Sequence, residues 1–560
     1  MSVTPLIHPS TDAATVPAAD RPVDPEWWRG AVIYQIYPRS FLDTNGDGVG
    51  DLDGVTRKLD AIADLGVDAI WISPFFKSPM EDFGYDVSDY RDVDPLFGDL
   101  DAFRRLLAEA HARGLRVLID LVVSHTSHQH AWFQESRADR SNPKADWYVW
   151  ADPTPTGNPP NNWLSLFGGS AWEWEPHRRQ YYLHNFLKTQ PDLNFHNPEV
   201  QDAVLDTAKF WLDLGVDGFR LDVVNFYFHD ALLRDNPPAR ADASPLTVQR
   251  SNPYAMQDHL YDKHRPENLV FLERFRTLLD AYPGATTVGE MGIDRDVATA
   301  TEAYTLADRR LHQVYSFELM TPTLSADHIR QVVRGMEAEV RTGWVSWAVS
   351  NHDFARIVSR WGLADRARDA APLLIALLAS LRGSPCLYQG EELGLTEAEI
   401  AFDDLQDPYG RAFWPEFKGR DGCRTPYPWR HDQPHGGFSQ ARPWLPVPPE
   451  HLAAAHDLQA ADAGSALSRV RRFLHWRRTR PELIKGEFRM LETDGPVVAF
   501  ERRLGAARTL CAFNLDRGPQ RLPLAGLGPL TVDAASGFNA EAGEGELRLP
   551  GLGGAFCRVV

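Results

Sequence analysis

DAFRRLLAEAHARGLRVLIDLVV, residues 101–123, contains two hydrophobic periods in succession. In its first half Phe103, Leu106, Leu107 and Ala110 recur at helical spacing, and the run stops on Gly114. Its second half, LRVLIDLVV (115–123), is a short, nearly unbroken apolar run, as in a parallel strand covered on both faces. The couple recurs in AVLDTAKFWLDLG (203–215) before VDGFRLDVV (216–224). Upstream, AVIYQIYP (31–38) reads as a first strand, and VDAIWISP (67–74) follows a helix near 55–65. Downstream, TTVGEM (286–291), QVYSFELM (313–320), WVSWAVSNHD (344–353) and PCLYQGEE (385–392) complete eight candidate strands. Eight β-α units predict an α/β protein built on a (β/α)8 barrel; a doubly wound open sheet is the alternative.

Two stretches interrupt the alternation. Residues 125–192 are irregular and rich in Trp and Pro, and read as a subdomain inserted after the third strand. Residues 393–450 read as a second excursion, after the eighth. From 485 to 560 short alternating runs such as VVAFERRLGAARTLCAFNLD, punctuated by Gly, predict a C-terminal antiparallel β-sandwich. The barrel is thus expected over 26–124 and 193–484, with residues 1–25 as a flexible N-terminus.

Composition excludes several classes. A net charge of -19 disfavours nucleic acid and anionic membranes as partners. There is no run of 18 apolar residues and no leader-like pattern in MSVTPLIHPSTDAATVPAADRPVDPEWW, which points to a soluble cytoplasmic protein. The four cysteines, Cys386, Cys423, Cys511 and Cys557, form no C-x-x-C pair and fit a reducing compartment. The 17 Trp, 16 Tyr and 28 Phe suit sugar rings, but serve ordinary cores equally well.

In a barrel of this kind, chemistry belongs at the C-terminal ends of the strands. GFRLDVV puts Arg220 and Asp222 two apart, hence on one strand face, either as a structural ion pair or as an oriented, ionised acid. VGEM places Glu290 at the end of the next strand, and SNHD places His352 and Asp353 at the end of the seventh. Three carboxylates and a histidine on one rim suit glycoside hydrolysis, with one carboxylate as nucleophile and a second, holding its proton, as acid then base.

Taken in order, DLVVSH (120–125), QPDLN (190–194), GFRLDVV (218–224), VGEM (288–291) and SNHD (350–353) resemble glycoside hydrolase family 13, the α-amylase family, in its α-glucosidase and oligo-1,6-glucosidase branch. The likeness spans roughly residues 26–560. It implies that Asp222 is the nucleophile, Glu290 the general acid/base, and Asp353 the third acid, which holds sugar hydroxyls. It implies that Arg220, His125 and His352 line the subsite at the cleaved bond. Asp82 and Tyr85, in EDFGYDVSDY (81–90), would hold the non-reducing-end glucose, and Phe167 the pocket wall. Either Arg420 or Arg424, in GRDGCRTPYPW, would pair with Asp82 and close the pocket.

SFLDTNGDGVGDLDGV (40–55) has the oxygen spacing of the front of a calcium loop. An EF-hand needs a bidentate Glu at loop position twelve, and counting from Asp43 that position is Gly54. The family resemblance instead implies one structural divalent ion, calcium or alternatively magnesium, held by Asp43, Asn45, Asp47 and Asp51 side chains and the Val49 carbonyl. The alternative is a metal-free, Asx-rich turn. No organic cofactor is implied. Val223, after the proposed nucleophile, is associated in this branch with tolerance of α-1,6 links, whereas NFYFHD (225–230) departs from the commonest oligo-1,6-glucosidase wording. The resemblance therefore implies an exo-acting, retaining α-glucosidase on small oligosaccharides or α-glucosides, with transfer to small acceptor alcohols as a side activity. The rivals are a sucrose-acting hydrolase or glucosyltransferase and a non-catalytic glycosidase-like binding protein.

Overall fold

The structure, a computed structural model, describes residues 24–240, 248–249, 251–293, 295–524, 529–543 and 545–559. Of the stretch 1–25 expected to be flexible, residues 1–23 lie outside the described residues.

Eight parallel strands form the central sheet: β1 (Ile33–Ile36), β2 (Ala69–Ile72), β3 (Arg116–Leu121), β4 (Gly218–Leu221), β5 (Thr286–Met291), β6 (Gln313–Ser316), β7 (Ser346–Trp347) and β8 (Ser384–Tyr388). Their order is β6-β5-β4-β3-β2-β1-β8-β7. A parallel bridge from Val314 to Val345 joins the two ends of that order, so the sheet closes into a barrel and the open-sheet alternative falls. The ladders end sooner than the apolar runs do. Beyond Ser316 and Trp347 the chains of QVYSFELM and WVSWAVSNHD leave the strands, which frees their polar ends for the rim.

Period two divides the strands between two cores. Ile33, Ala69, Trp71, Leu118, Val288, Tyr315 and Cys386 meet inside the barrel. Phe219 and Leu221 face outward into the larger cluster shared with the helices. Arg220, between them, must therefore point inward, where it is fully buried.

The helices start where the sequence supplies caps. Asp51 caps α1 (Leu52–Leu65) by accepting from Gly54 N at 2.7 Å. Asp99 caps α2 (Leu100–Ala112) through Ala102 N at 2.7 Å. Asn197 caps α3 (Pro198–Leu214), whose C-terminus stops on Gly215 with φ 102°. Each cap satisfies a donor that the helix leaves unpaired, worth about 1 kcal/mol.

Between β3 and α3 the chain forms the helix Ala131–Ala138 and a small antiparallel sheet of Trp150–Ala151, Trp172–Glu175 and Gln180–Leu183. This sheet stands beside the C-terminal mouth of the barrel. After β8, residues 393–450 carry short helical turns and return Arg420 and Arg424 to the same mouth. The C-terminal region packs a five-stranded antiparallel sheet on a three-stranded one around Leu510, Ala512, Leu522, Leu547 and Ala555. Buried Arg502 ties it to the barrel by donating to the carbonyls of Ser380, Leu381 and Leu483 at 2.6, 2.8 and 3.0 Å.

Candidate active site

Arg220 organises the barrel mouth. Its Nη1 donates to Asp120 Oδ1 at 2.9 Å and, by a shorter bond, to Asp222 Oδ1. Its Nη2 donates to Tyr315 Oη at 2.9 Å and lies 2.6 Å from Glu290 Oε2. Asp120, Asp222, Glu290 and Tyr315 belong to four neighbouring strand ends, and one guanidinium holds them all. The last ladder pair between β4 and β5 is Leu221↔Gly289, so Asp222 and Glu290 are the next residues on two adjacent strands. Adjacent strands run ~4.8 Å apart, close to the ~5 Å carboxyl spacing of a retaining glycosidase.

Val223, directly after Asp222, has φ 35° and ψ 51°. A β-branched residue in that region is strained, at a cost of order 1–3 kcal/mol. Its N–H donates to Glu290 Oε2 at 3.2 Å.

A cavity of 510 Å³ opens over these groups, lined by Asp222 and Glu290 and by Asp82, Tyr85, Asp353 and Arg420. The second group closes it by charge. Arg420 Nη2 donates to Asp82 Oδ1 at 2.8 Å, and its Nη1 to Asp353 Oδ1 at 3.2 Å. Arg424 donates to Asp353 Oδ1 at 2.7 Å and to the His352 carbonyl at 2.7 Å. Arg420 is thus the arginine paired with Asp82, a choice the sequence left open, and Arg424 serves Asp353. Phe167 stacks on Tyr409 at 5.0 Å and lies under the Arg420 guanidinium.

His125 reaches the cavity wall, where its Nε2 bonds the Tyr85 carbonyl at 2.9 Å. Tyr85 stacks on His352 with ring centroids 5.3 Å apart and an angle of 2° between the planes. Tyr85 Oη lies 2.6 Å from His352 Nε2 and 3.1 Å from Asp120 Oδ2. Arg220, His352 and Arg424 stand behind the groups that line the cavity.

Burial and charge set the protonation of the site. Burial lifts Asp222 and Glu290 each to about 7, with Arg220 opposing the rise in both. Burial lifts Asp120, on the same guanidinium, to about 6 as well, so the three carboxyls titrate as a coupled group rather than singly. Negative neighbours raise both acids: Asp222 and Asp353 act on Glu290, and Asp120 and Asp353 on Asp222. Burial drives His352 to about 3, so it is neutral at pH 7. Burial also works against ionised Asp353, but the Arg420 and Arg424 guanidiniums outweigh it and hold this carboxyl well below the usual range.

Three polar residues of the site went unremarked in the sequence. Asp120, mid-run in LRVLIDLVV, is buried and also accepts from Trp71 Nε1 at 3.2 Å; a lone acid in an apolar strand was the available signal. Asp407 grips Arg420 twice, at 2.8 Å through Nη2 and 3.1 Å through Nε. Gln190 donates to Asp82 Oδ2 at 3.1 Å. Gln190 opens the motif QPDLN, whereas Asp407 carries no local sequence signal.

The loop 43–51 lies away from this cavity. Asp43 accepts from Gly46 N at 2.7 Å and Gly48 N at 2.9 Å, and Asp51 from Thr44 N at 2.8 Å. A Cβ on Gly54 would meet the Leu42 carbonyl at 2.0 Å, so no glutamate fits at position twelve. Asp43 and Asp51 are buried without an ion-pair partner among the described residues, and burial together with the neighbouring Asp43 charge raises Asp51. Two uncompensated buried carboxylates in an all-oxygen loop fit a hard cation. The carboxylates of Asp43, Asp47 and Asp51 are less convergent than those of the surface trio His431, Asp432 and Asp457, whose ligand atoms lie within 4.8 Å of one another.

The family description "Alpha amylase, catalytic domain" matches residues 35–486, and the chain belongs to the α-amylase family. Within it, the chain is 55% identical over 543 residues to a probable alpha-glucosidase of Rhizobium meliloti (strain 1021), covering 96% of this chain and 98% of that protein. It is 38% identical over 529 residues to an oligo-1,6-glucosidase of Heyndrickxia coagulans, covering 88% and 92%. The crystal structure of an alpha-glucosyl transfer enzyme, XgtA, superposes with a TM-score of 0.93 at 58% identity, covering 95% of this chain and 99% of that one.

The raised carboxyls carry a stability consequence. A buried acid whose folded pKa lies above its unfolded value favours the fold below the unfolded value, and that contribution is lost as pH rises through the folded one. For Glu290 the window runs from about 4.5 to about 7. Glu290→Gln, which mimics the protonated form, is expected to melt on the order of 2 °C higher than the parent at pH 8 and to match it at pH 4.5. Equal melting temperatures at both pH values would show that Glu290 is not raised.

Proposed function

We propose that the chain is an exo-acting, retaining α-glucosidase that removes terminal α-glucosyl residues from small oligosaccharides and α-glucosides. The observation that carries this reading is the Arg220 cluster, which sets Asp222 and Glu290 side by side under a cavity closed at its far end by Asp82 and Arg420. In this reading Asp222 attacks C1 of the bound glucose as Glu290 gives its proton to the glycosidic oxygen. The C1–O bond breaks, the aglycone leaves as an alcohol, and a glucosyl ester forms on Asp222. Glu290, now a carboxylate, takes a proton from water, whose oxygen attacks C1 from the vacated side and releases α-glucose. An acceptor alcohol in the place of water gives transfer, the activity of the similar alpha-glucosyl transfer enzyme XgtA.

Asp353, held ionised by two arginines, would accept hydroxyls of the same glucose, and Tyr85 and Phe167 would cover its apolar face. The Asp82–Arg420 pair leaves no room for a further sugar beyond the non-reducing end, which makes the reading exo-acting. Among the described residues no helix is long and apolar enough to cross a membrane, and the four cysteines are free and buried. A cytoplasmic enzyme is part of the same reading.

The structural cation implied by the resemblance is also a proposal. Asp43, Asn45, Asp47, Asp51 and the Val49 carbonyl would hold it. When bound it would staple the loop that leads into α1, without touching the sugar.

Wild-type enzyme is expected to release α-glucose from an aryl α-glucoside and from at least one of maltose, isomaltose and sucrose, with Asp222→Asn slower by about three decades or more. β-Glucose as first product, or an Asp222→Asn variant of undiminished rate, would sink the assignment. Millimolar EDTA is expected to lower the melting temperature by a few degrees and calcium to restore it, with the rate at 25 °C unchanged. A melt insensitive to EDTA, in protein free of metal by elemental analysis, would leave the loop as an Asx-rich turn.

A further inference from the structure

The backbone ladder between β4 and β5 stops at Leu221↔Gly289, one residue short of both Asp222 and Glu290. Asp222 N turns instead to the Leu121 carbonyl at 3.3 Å. Past that point backbone pairing between these two strands no longer sets how the two carboxyls face each other. Besides Arg220, the Asn225 side chain spans the gap, and it grips backbone rather than the carboxyls. Asn225 Oδ1 accepts from Gly292 N at 3.1 Å, and its Nδ2 donates to the Gly292 carbonyl at 3.1 Å. Both halves of the amide thus read both backbone groups of one residue. The residue lies three positions after Asp222, and its target two positions after Glu290.

We propose that Asn225 is a positioning residue that fixes the acid/base Glu290 against the nucleophile Asp222. It is fully buried and does not line the cavity, so it acts through other groups. Its own turn is held from outside. The Asn225 carbonyl accepts from His264 N at 2.6 Å, and the Val224 carbonyl from Asn268 Nδ2 at 2.7 Å. Between Asp222 and Asn225 sits Val223 at positive φ, with its N–H on Glu290 Oε2. A strained residue stays in place only where its surroundings over-determine it, and the clamp on Gly292 closes that frame. The chemistry calls for an amide. A carboxylate would keep the bond from Gly292 N and lose the one to its carbonyl, and a hydroxyl would reach one partner only.

The inference rests on the α-glucosidase reading, and the test separates the two. The readout is the ratio of kcat/KM on maltose to kcat/KM on α-glucosyl fluoride, which reports only the step that forms the glucosyl ester. Maltose needs a proton on its leaving oxygen; fluoride leaves without one. A displaced acid/base therefore slows the first far more than the second, whereas a general loss of structure slows both alike. Asn225→Ala is expected to lose about thirtyfold in kcat/KM on maltose and less than about threefold on the fluoride. Asn268→Ala, which loosens the same turn without touching Gly292, is expected to leave the ratio unchanged. If Asn225→Ala does not fold, Asn225→Ser supplies the same ratio. An unchanged ratio in the Asn225 variant, at any rate, overturns the positioning role and leaves the α-glucosidase reading intact. Wild-type protein inactive on both substrates overturns both.

Discussion

One buried guanidinium bears on three carboxylates at the barrel mouth, and the rest of the site depends on that imbalance. Arg220 cannot neutralise Asp120, Asp222 and Glu290 together where all three are buried. The excess is relieved by a retained proton, because ionising all three there would cost several kcal/mol. In the α-glucosidase reading Glu290 is the carboxyl that carries this proton. In that reading a nucleophile and an acid thus arise from two similar side chains through placement alone. The barrel supplies the placement. Inward parity puts Asp120 and Arg220 at one level of the barrel and Glu290 and Tyr315 two residues nearer its mouth, within reach of the guanidinium, while the alternate residues anchor the helices outside.

The far wall of the cavity repeats the motif with the opposite outcome. There two guanidiniums, on Arg420 and Arg424, meet Asp82, Asp353 and Asp407, and the carboxyl of Asp353 stays ionised. A fixed negative charge beside neutral His352 suits the holding of sugar hydroxyls, which need acceptors more than protons. Both arginines come from the excursion after β8, and Asp82 from the loop after β2. Closing the pocket is therefore the work of loops, while the reactive pair sits on strands. That division leaves the chemistry constant as loops vary.

How much of this was legible depends on the range of the signal. Period two in GFRLDVV was enough to place Arg220 and Asp222 on one face, and alternation of helix and strand was enough for eight strands, because both are local. Closure of the barrel was not, since it rests on a single contact between Val314 and Val345. Asp407 and Gln190 act through contacts more than a hundred residues away in one case and thirteen in the other, with no periodicity to mark them. Arg420 and Arg424 are four apart in an irregular segment, so spacing could not tell which faces Asp82. Asn225 was read only as part of a variable stretch, NFYFHD, because a bidentate amide on a distant glycine leaves no trace in the sequence around it.

The most direct measurement is the mass of a trapped intermediate. The protein would be incubated with 5-fluoro-α-D-glucopyranosyl fluoride, digested at low pH, and its peptides sequenced by tandem mass spectrometry. A fluoroglucosyl ester on Asp222 is the predicted result, absent from Asp222→Asn. An adduct on any other carboxyl, or steady turnover of the reagent with no adduct at all, would contradict a nucleophile placed by Arg220.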